Sequence, residues 1–493
     1  MIKPSKKDFL KTTQDNIIPA LYCEIPYSSP QSIYDLLASP NSMLLESAKG
    51  PEKIARFSFI GFDPSMIFKV KNGVVEIESS ESIQFQTKKP LSVLKAIIHP
   101  YRQSLCSMLP PFQGGLAGVL SYDFVHYFED LPRKASDDSH LPDAHFMLID
   151  KLIACDHFTG KCWVIVCPAL KDYMRQKHCL SHNDWKEKYD EAERDIQIIK
   201  MRLEDSEKTG TVKDSLQNKV EVIYEMSEKR YTDIVKRAKE YIAAGDIFQA
   251  NLSQRLSAHI KRKSAWDLYK VLSTINPSPF AAFVDFGDYK IVSSSPERLL
   301  RVKGDIVETR PIAGTRPRGT DRLEDEHMRS ELLLNEKERA EHIMLIDLER
   351  NDLGRVSDYG SVTVDELMIT EDYSHVIHIV SNIKGNLVNG KDCFDAIRAS
   401  FPGGTITGVP KVRCMEIIDE LEPVQRGPYT GSIGYIGFSG NMDFNIIIRT
   451  FVIQDEMAFV QAGAGIVADS DPGREYLETL KKAEALIRTL ERV

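Results

Sequence analysis

The 493-residue chain lacks any apolar run long enough to cross a bilayer, and its opening, Met1-Ile-Lys-Pro-Ser-Lys-Lys-Asp8, has no apolar core behind its charges. Neither a membrane span nor a secretory leader is expected, and the expected location is the cytoplasm. An excess of positive charge is lacking too: 63 Lys and Arg stand against 72 Asp and Glu, a formal net charge of −9. That balance offers no general surface for nucleic acid or anionic lipid, and an anionic ligand would need a local cation. The eight cysteines (23, 106, 155, 162, 167, 179, 393 and 414) form no CxxC pair and no metal-type spacing, so reduced thiols are expected. There is no Gly-x-Ser-x-Gly elbow, and no cysteine stands in a recognisable catalytic context, which leaves no nucleophilic triad. Internal repeats and low-complexity tracts are absent as well.

What is there reads as three parts. Residues 1–170 mix short apolar runs with Gly and Pro punctuation, as in Phe57-Ser-Phe-Ile-Gly-Phe-Asp-Pro64, and predict strands and turns. Residues 171–224 are polar and charged, with a helix expected over Asp184–Arg202 and a soft segment at 207–211; they read as a linker. From 225 to 493 strand pairs and helices arrive in runs rather than in βαβ alternation. Strands are expected at 248–256, 281–286, 290–294, 374–383, 431–438, 444–452 and 458–461, and helices at 231–244, 265–274, 392–400, 411–421 and 475–490. That order favours an α+β fold with antiparallel sheets.

The most informative stretch is Asn335 to Asp352, which has no Gly or Pro and predicts a helix. Glu338 and Glu341 share one face, continued by Leu345 and Leu348. The last helix opens with the same spacing, Glu475 and Glu478. Two acidic pairs on two helices can hold a hard divalent cation such as Mg²⁺. The same spacing also fits surface acids favoured near helix N-termini by the dipole.

Three other strings stand out. Phe401-Pro-Gly-Gly-Thr-Ile-Thr-Gly-Val-Pro-Lys411 begins like a P-loop, but Val409-Pro410 interrupts it and Val412 stands where Ser or Thr must be. It is either an anion-facing loop, with Thr405 and Lys411 as donors, or a tight turn before a helix. Gly463-Ala-Gly-Ile-Val-Ala468 fits a dinucleotide expression, yet too little chain follows to complete a βαβ unit. Arg310-Pro-Ile-Ala-Gly-Thr-Arg-Pro-Arg318 concentrates Arg in an acidic chain. His375 and His378 would point to opposite faces of one strand.

Together these strings identify a resemblance. From about Ile247 to Lys482 the chain is similar to the chorismate-utilising enzymes, above all component I of aminodeoxychorismate synthase and of anthranilate synthase. The matching motifs are Phe248-Gln-Ala-Asn-Leu-Ser-Gln-Arg255, Ser295-Pro-Glu297, Pro311-Ile-Ala-Gly-Thr315, Asp347-Leu-Glu-Arg-Asn-Asp352, Gly408-Val-Pro-Lys-Val-Arg413, Gly440-Asn-Met-Asp-Phe444, Ile448-Arg-Thr450 and Ala462-Gly-Ala-Gly-Ile466. The resemblance implies two large packed antiparallel sheets flanked by helices. It implies Mg²⁺ on Glu341 and Glu478, assisted by Glu338 and Glu475. It implies chorismate against Gly314, Thr315, Tyr435, Arg449, Gly463, Ala464 and Gly465, with Lys411 a further candidate contact. His378 would assist departure of the C4 hydroxyl, and Glu308 and Thr405 are candidate catalytic residues beside it.

Relatives that add water to chorismate carry a lysine base where this chain has Gln249, so ammonia is the expected nucleophile. With no glutaminase part in the chain, a separate glutamine amidotransferase subunit is the implied source. Asn251, Gly114–Gly118, Phe401–Thr407 and Glu349 resemble aminodeoxychorismate synthases. Ala313 departs from the Lys that many of them carry as a covalent nucleophile. Ser47, Pro279, Phe280 and Ala281 resemble the tryptophan pocket of anthranilate synthases, with Ala281 in place of a common Met; a vestigial or weak amino-acid site is expected. Anthranilate synthase component I, and a non-catalytic chorismate-binding subunit, remain the alternatives.

Overall fold

The computed structural model describes residues 1–15, 17–47, 49–174, 180–204, 220–261, 263–319, 321–373 and 376–493. The expected soft segment 207–211 and His375 lie outside the described residues. Among those described, two twelve-stranded antiparallel sheets carry the fold. The first runs, edge to edge, through Ile312–Pro317, Val376–Asn386, Ile306–Arg310, Arg298–Lys303, Met442–Asn445, Ser432–Gly437, Gly115–Leu120, Ala144–Ile149, Met66–Lys71, Val74–Glu78 and Ser82–Gln86. Thr363–Asp372 pairs with Val376–Asn386 off that path.

The second runs through Val222–Tyr224, Gln249–His259, Met457–Ile466, Thr450–Gln454, Tyr289–Ser295, Phe280–Asp285, Ser42–Glu46, Phe57–Gly61, Lys151–Asp156, Lys161–Val166 and Leu21–Ile25. The short Gly408–Val409 strand adds to Gln249–Ala250. Strands from both ends of the chain are thus neighbours in each sheet.

Strand periodicity explains how the sheets stack. In Gly115–Leu120, Ala117 and Val119 point into a core shared with Phe59, Met147, Ile165 and Ile291, drawn from both sheets. Leu116 and Leu120 point the other way, into the core beneath the helices, with Phe146 and Leu148. Because both faces are covered, the strand is apolar throughout rather than alternating. Phe59, Phe112 and Tyr435 form an aromatic cluster between the sheets, with centroids 4.6–5.6 Å apart. Each buried ring contributes about 2–3 kcal/mol.

Two connections leave one sheet and enter the other without a turn. Tyr289–Ser295 continues across Pro296-Glu297 into Arg298–Lys303, and Met442–Asn445 continues across Ile446–Arg449 into Thr450–Gln454. The single strand expected at 444–452 is therefore two strands in different sheets. The break spans Ile446–Arg449 and includes Arg449, whose φ of 52° lies in the left-handed region and turns the chain out of the first sheet. The crossings are tied to each other: Ile446 N donates to Glu297 O at 3.0 Å, Ser294 N to Arg449 O at 3.1 Å and Ser295 Oγ to Ile446 O at 2.6 Å.

The expectation of uniformly reduced cysteines is also corrected. Cys155 and Cys162 register opposite each other in the Lys151–Asp156/Lys161–Val166 hairpin, and their sulfurs are joined. Spacing alone could not show this, since only the hairpin register brings the two face to face. No helix among the described residues is long and apolar enough to cross a membrane.

Arg426 and Glu422 form a buried pair, 1% and 3% exposed, at 2.7 Å. Arg426 also donates to the carbonyls of Ile406 (2.9 Å) and Asn251 (2.7 Å), and Glu422 accepts from Ser253 N and Oγ at 2.8 Å. Arg426→Ala would strand a buried carboxylate, at a cost of about 3–5 kcal/mol. A urea unfolding midpoint within error of the native protein would contradict that expectation.

Candidate active site

The acidic helix spans Glu336–Gly354. Asn335 caps it, its side chain accepting from Glu338 N at 3.0 Å. Leu345, Ile346, Glu349 and Leu353 turn inward, and Glu338 and Glu341 lie toward its open end. The C-terminal helix, Pro472–Arg492, begins at the Asp471 cap, with Glu475 and Glu478 in its first turns.

The C-terminal helix packs on the strand Met457–Ile466, and Glu341 of the acidic helix reaches the same strand at Gly465. A Cβ at Gly465 would fall on Gln249 Nε2 and lie 3.6 Å from Glu341 Oε1. Gln249 Nε2 donates to Glu341 Oε1 at 3.0 Å. Lys482 Nζ bonds Glu478 at 2.9 Å and the Gly463 carbonyl at 3.0 Å. Burial, then the neighbouring Glu338 and Glu478 charges, hold the Glu341 carboxyl above its usual range, opposed by the Gln249 hydrogen bond and Lys482. Burial and Glu478 likewise raise Glu475. Of the four expected metal-site glutamates, Glu341 lies against the glycine strand, Glu478 is bonded to Lys482 beside that strand, and Glu338 is paired with Arg316 at 3.2 Å, next to Gly314, where a Cβ would lie 2.9 Å from its Oε2. No group of three acidic, His or Cys side chains among the described residues is preformed as a metal cage. Mg²⁺ needs none, because it is held by one or two carboxylates with waters and substrate oxygens completing its shell. The donor set fits that ion.

The acidic helix packs against Ile312–Pro317, which has a bulge at Gly314 (φ 66°), where only glycine is unstrained. The bulge aims the Gly314 carbonyl at His378 Nδ1 (3.1 Å), and Thr315 Oγ1 is 3.0 Å from the same nitrogen. A carbonyl can only accept, so Nδ1 carries the proton and Nε2 has a bare lone pair. Nε2 is buried without a partner among the described residues. Burial, with Arg449 nearby, pushes the imidazole down to about 3, so it is neutral at physiological pH. A neutral His378 is a proton acceptor, which changes how it can serve a leaving hydroxyl.

A buried acid, Glu297, stands in the Ser295-Pro-Glu297 motif but was not among the expected site residues. It lies on the first sheet crossing, 5% exposed. Burial pushes its carboxyl up to about 7, against the Thr405 hydroxyl, the Ile312 N–H and the Arg449 charge, which lower it. Arg449 lies on the second crossing. Burial lowers its pKa, and it forms no ion pair with any described residue. Glu349 packs behind Glu297, 7% exposed and bonded to Thr309 Oγ1 at 2.7 Å, and burial pushes it up to about 8.

Three expected site residues are placed elsewhere. Glu308 pairs with Arg301 and Arg298 (2.5 and 3.4 Å) away from the glycine strand, because its position on Ile306–Arg310 faces those arginines. Lys411 spends its donors on Asp352, the Ser400 carbonyl and the Pro402 carbonyl, and so ties down the loop rather than a ligand. That loop packs on the acidic helix, where a Cβ at Gly404 would fall on Leu348, and leaves Thr405 Oγ1 buried without a well-formed hydrogen bond. Tyr435 belongs to the inter-sheet aromatic cluster. The tyrosine at the glycine strand is Tyr429, whose hydroxyl would lie 2.9 Å from a Cβ at Gly463.

Tyr435 instead lines a separate cavity of about 790 Å³ with Ser47, Pro279, Phe280, Ala281 and Arg298. The four residues expected to form an amino-acid site thus share one wall of that cavity.

Two large antiparallel sheets flanked by helices and joined by two crossings define a class of fold, and similarity to known proteins gives the family. The model for chorismate binding enzymes matches residues 40–488. The chain belongs to that family. It is 42% identical to anthranilate synthase component 1 of Acetivibrio thermocellus, over 97% of this chain and 96% of that one. It is 43% identical to aminodeoxychorismate synthase component 1 of Bacillus subtilis, over 91% of each. Among solved structures, anthranilate synthase component I of Streptococcus pneumoniae superposes with a TM-score of 0.78 at 36% identity, covering 88% of this chain and 92% of that one. The menaquinone-specific isochorismate synthase of Escherichia coli, at 16% identity and a TM-score of 0.68 over 99% of this chain and 100% of that one, shares the fold.

The pH response of Glu349 is testable. Its ordinary value is 4.5 and its folded value about 8. The folded state keeps a proton that the unfolded chain releases, so this stabilisation is complete below the unfolded value and is lost as pH rises through the folded one. Glu349→Gln does not titrate and keeps it. Relative to the native protein, the variant gains on the order of 2–4 kcal/mol between pH 5 and pH 8.5. Parallel denaturation curves at the two pH values would contradict this.

Proposed function

We propose that the chain aminates chorismate to 4-amino-4-deoxychorismate, with ammonia from a separate glutamine amidotransferase subunit and with Mg²⁺ held by Glu341 and Glu478, assisted by Glu338 and Glu475. The observation that carries amination is Gln249. Where a base would be needed to activate water, the chain has a neutral amide bonded to Glu341. Ammonia needs no such base.

Chorismate carries two carboxylates, and two like charges ~4 Å apart repel by about 4 kcal/mol at an effective dielectric near 20. Four glutamates facing a dianion therefore need a cation between them; Mg²⁺ supplies that charge and polarises the carboxylate it binds. Arg449, unpaired and partly buried, suits the other carboxylate as a bidentate fork. In the exchange a C–N bond forms at C4 and the C4–O bond breaks. The hydroxyl leaves as water with the proton of Glu297, whose raised value keeps it partly protonated near neutrality. The new ammonium group returns a proton to the Glu297 carboxylate, which restores the acid, while the bare Nε2 of His378 offers a hydrogen-bond acceptor to the reacting group. Ala313 rules out a lysine adduct at that position, so nitrogen enters without it.

Asn251, on the same strand face as Gln249, favours the aminodeoxy product over anthranilate. The names of several relatives favour anthranilate synthase, in which pyruvate is lost as well. Incubating the chain with chorismate, Mg²⁺ and an ammonium salt separates the readings. We expect a product that yields p-aminobenzoate only after a lyase is added. Anthranilate fluorescence without the lyase would reject the choice of product, and no turnover would leave a binding subunit. Glu341→Ala is expected to lower kcat/KM by about 10³-fold with an unchanged melting point; near-native turnover would remove its metal role. For the 790 Å³ cavity, Ala281 points to a weak amino-acid site, and calorimetry showing tight, inhibitory tryptophan binding would favour anthranilate synthase.

A further inference from the structure

We propose that Tyr373 is a positioning residue that aims His378 at the reacting group. The inference rests on the reading that Nε2 of His378 meets that group, whichever product forms. His378 lies on a strand flanked by two others, in register with Thr315 on one side and Glu371 on the other. Residues opposite each other in antiparallel strands put their side chains on one face. Two residues beyond Glu371 the chain turns back, Tyr373 N donating to Val376 O at 2.9 Å, and the Tyr373 ring meets the imidazole. The two ring centroids are 5.2 Å apart at 73°, an edge-to-face contact.

An imidazole has two torsions to fix. The Gly314 carbonyl and Thr315 Oγ1 both meet Nδ1, at 3.1 and 3.0 Å, so together they hold only one ring atom. A ring held at one atom can still tilt about it and carry Nε2 out of line. The Tyr373 ring stands against that tilt.

Tyr373 is itself held. Burial, then the Glu371 carboxylate, raises its phenol, which keeps its proton and donates to Glu371 Oε2 at 3.2 Å. The other oxygen of Glu371, a side chain 4% exposed, is bound by Arg310 at 2.5 Å and Lys53 at 3.3 Å. Both cations also bond Glu366, at 2.6 and 2.8 Å. Two carboxylates shared between two cations form a clamp with no net charge, so the buried Glu371 is fully paired. Lys53 lies between Ser42–Glu46 and Phe57–Gly61 of the second sheet, whereas Arg310 and Glu371 belong to the first, so the clamp ties the sheets together.

The test is a double-mutant cycle on the full chain with chorismate, Mg²⁺ and an ammonium salt: native, Tyr373→Leu, His378→Asn and the pair, with melting points to show that each folds. Tyr373→Leu is expected to lower kcat about tenfold with KM for chorismate within about twofold of native. Tyr373→Phe, which keeps the ring, is expected to restore kcat to within about threefold of native. In the His378→Asn background Tyr373→Leu is expected to have less than about a twofold further effect, because a residue acting through the imidazole is silent without it. An equal fall in both backgrounds overturns the proposal. So does a native kcat in Tyr373→Leu, a change confined to KM, which would put Tyr373 on the substrate, or no recovery in Tyr373→Phe. If Tyr373→Leu does not fold, Glu371→Gln, which releases the phenol, takes its place in the cycle with the same expectation. A native kcat in His378→Asn removes the reading of His378 and the proposal with it. A lowered kcat there, beside a native Tyr373→Leu, removes the positioning role alone.

Discussion

The site depends on the two crossings between the sheets. A strand that leaves one sheet for the other exposes backbone at the change of plane, and here two such places are stitched together, Ile446 N to Glu297 O and Ser294 N to Arg449 O. That stitch puts an acid and a cation side by side in a gap that neither sheet could provide alone. The left-handed backbone of Arg449 is strain held by the surrounding sheet. Among the described residues it forms no ion pair, and a partly buried guanidinium without one is what the proposed anion contact calls for.

Around that pair the remaining chemistry is distributed by element. The acidic helix supplies Glu338 and Glu341 at its open end and Glu349 deeper in, where burial keeps a proton on it. The glycine strand contributes absence: without side chains at 463 and 465, Gln249, Asn251 and Tyr429 can approach it. The bulge at Gly314 fixes the tautomer of His378. Lys411, Arg426 and Glu422 hold the loop and strand that shape the floor, and their hydrogen bonds are satisfied within the protein.

Much of this was legible in the sequence. The acidic helix, the recurrence of its glutamate spacing in the last helix and the antiparallel α+β character follow from periodicity and punctuation. The fold resemblance is borne out by the family match. Less legible were residues whose role depends on which sheet a strand joins. Glu297 follows a proline at a crossing, where no periodicity assigns a face. Tyr435 and Tyr429 lie six residues apart; only the start of the strand at Ser432 puts one between the sheets and leaves the other at the glycines. Lys411 reads like a phosphate lysine until its three carbonyl and carboxylate partners are seen. The Cys155–Cys162 link needed the hairpin register.

The central claim is that a doubly charged ring is held between Arg449 and a cation lodged among the helix glutamates. Calorimetric titration of chorismate with and without Mg²⁺ tests it most directly. Binding of the two is reciprocal if they touch. The account predicts chorismate affinity at least about tenfold higher with Mg²⁺ present, and Mg²⁺ affinity raised by the same factor with chorismate present. Equal chorismate affinity in the two titrations would contradict it.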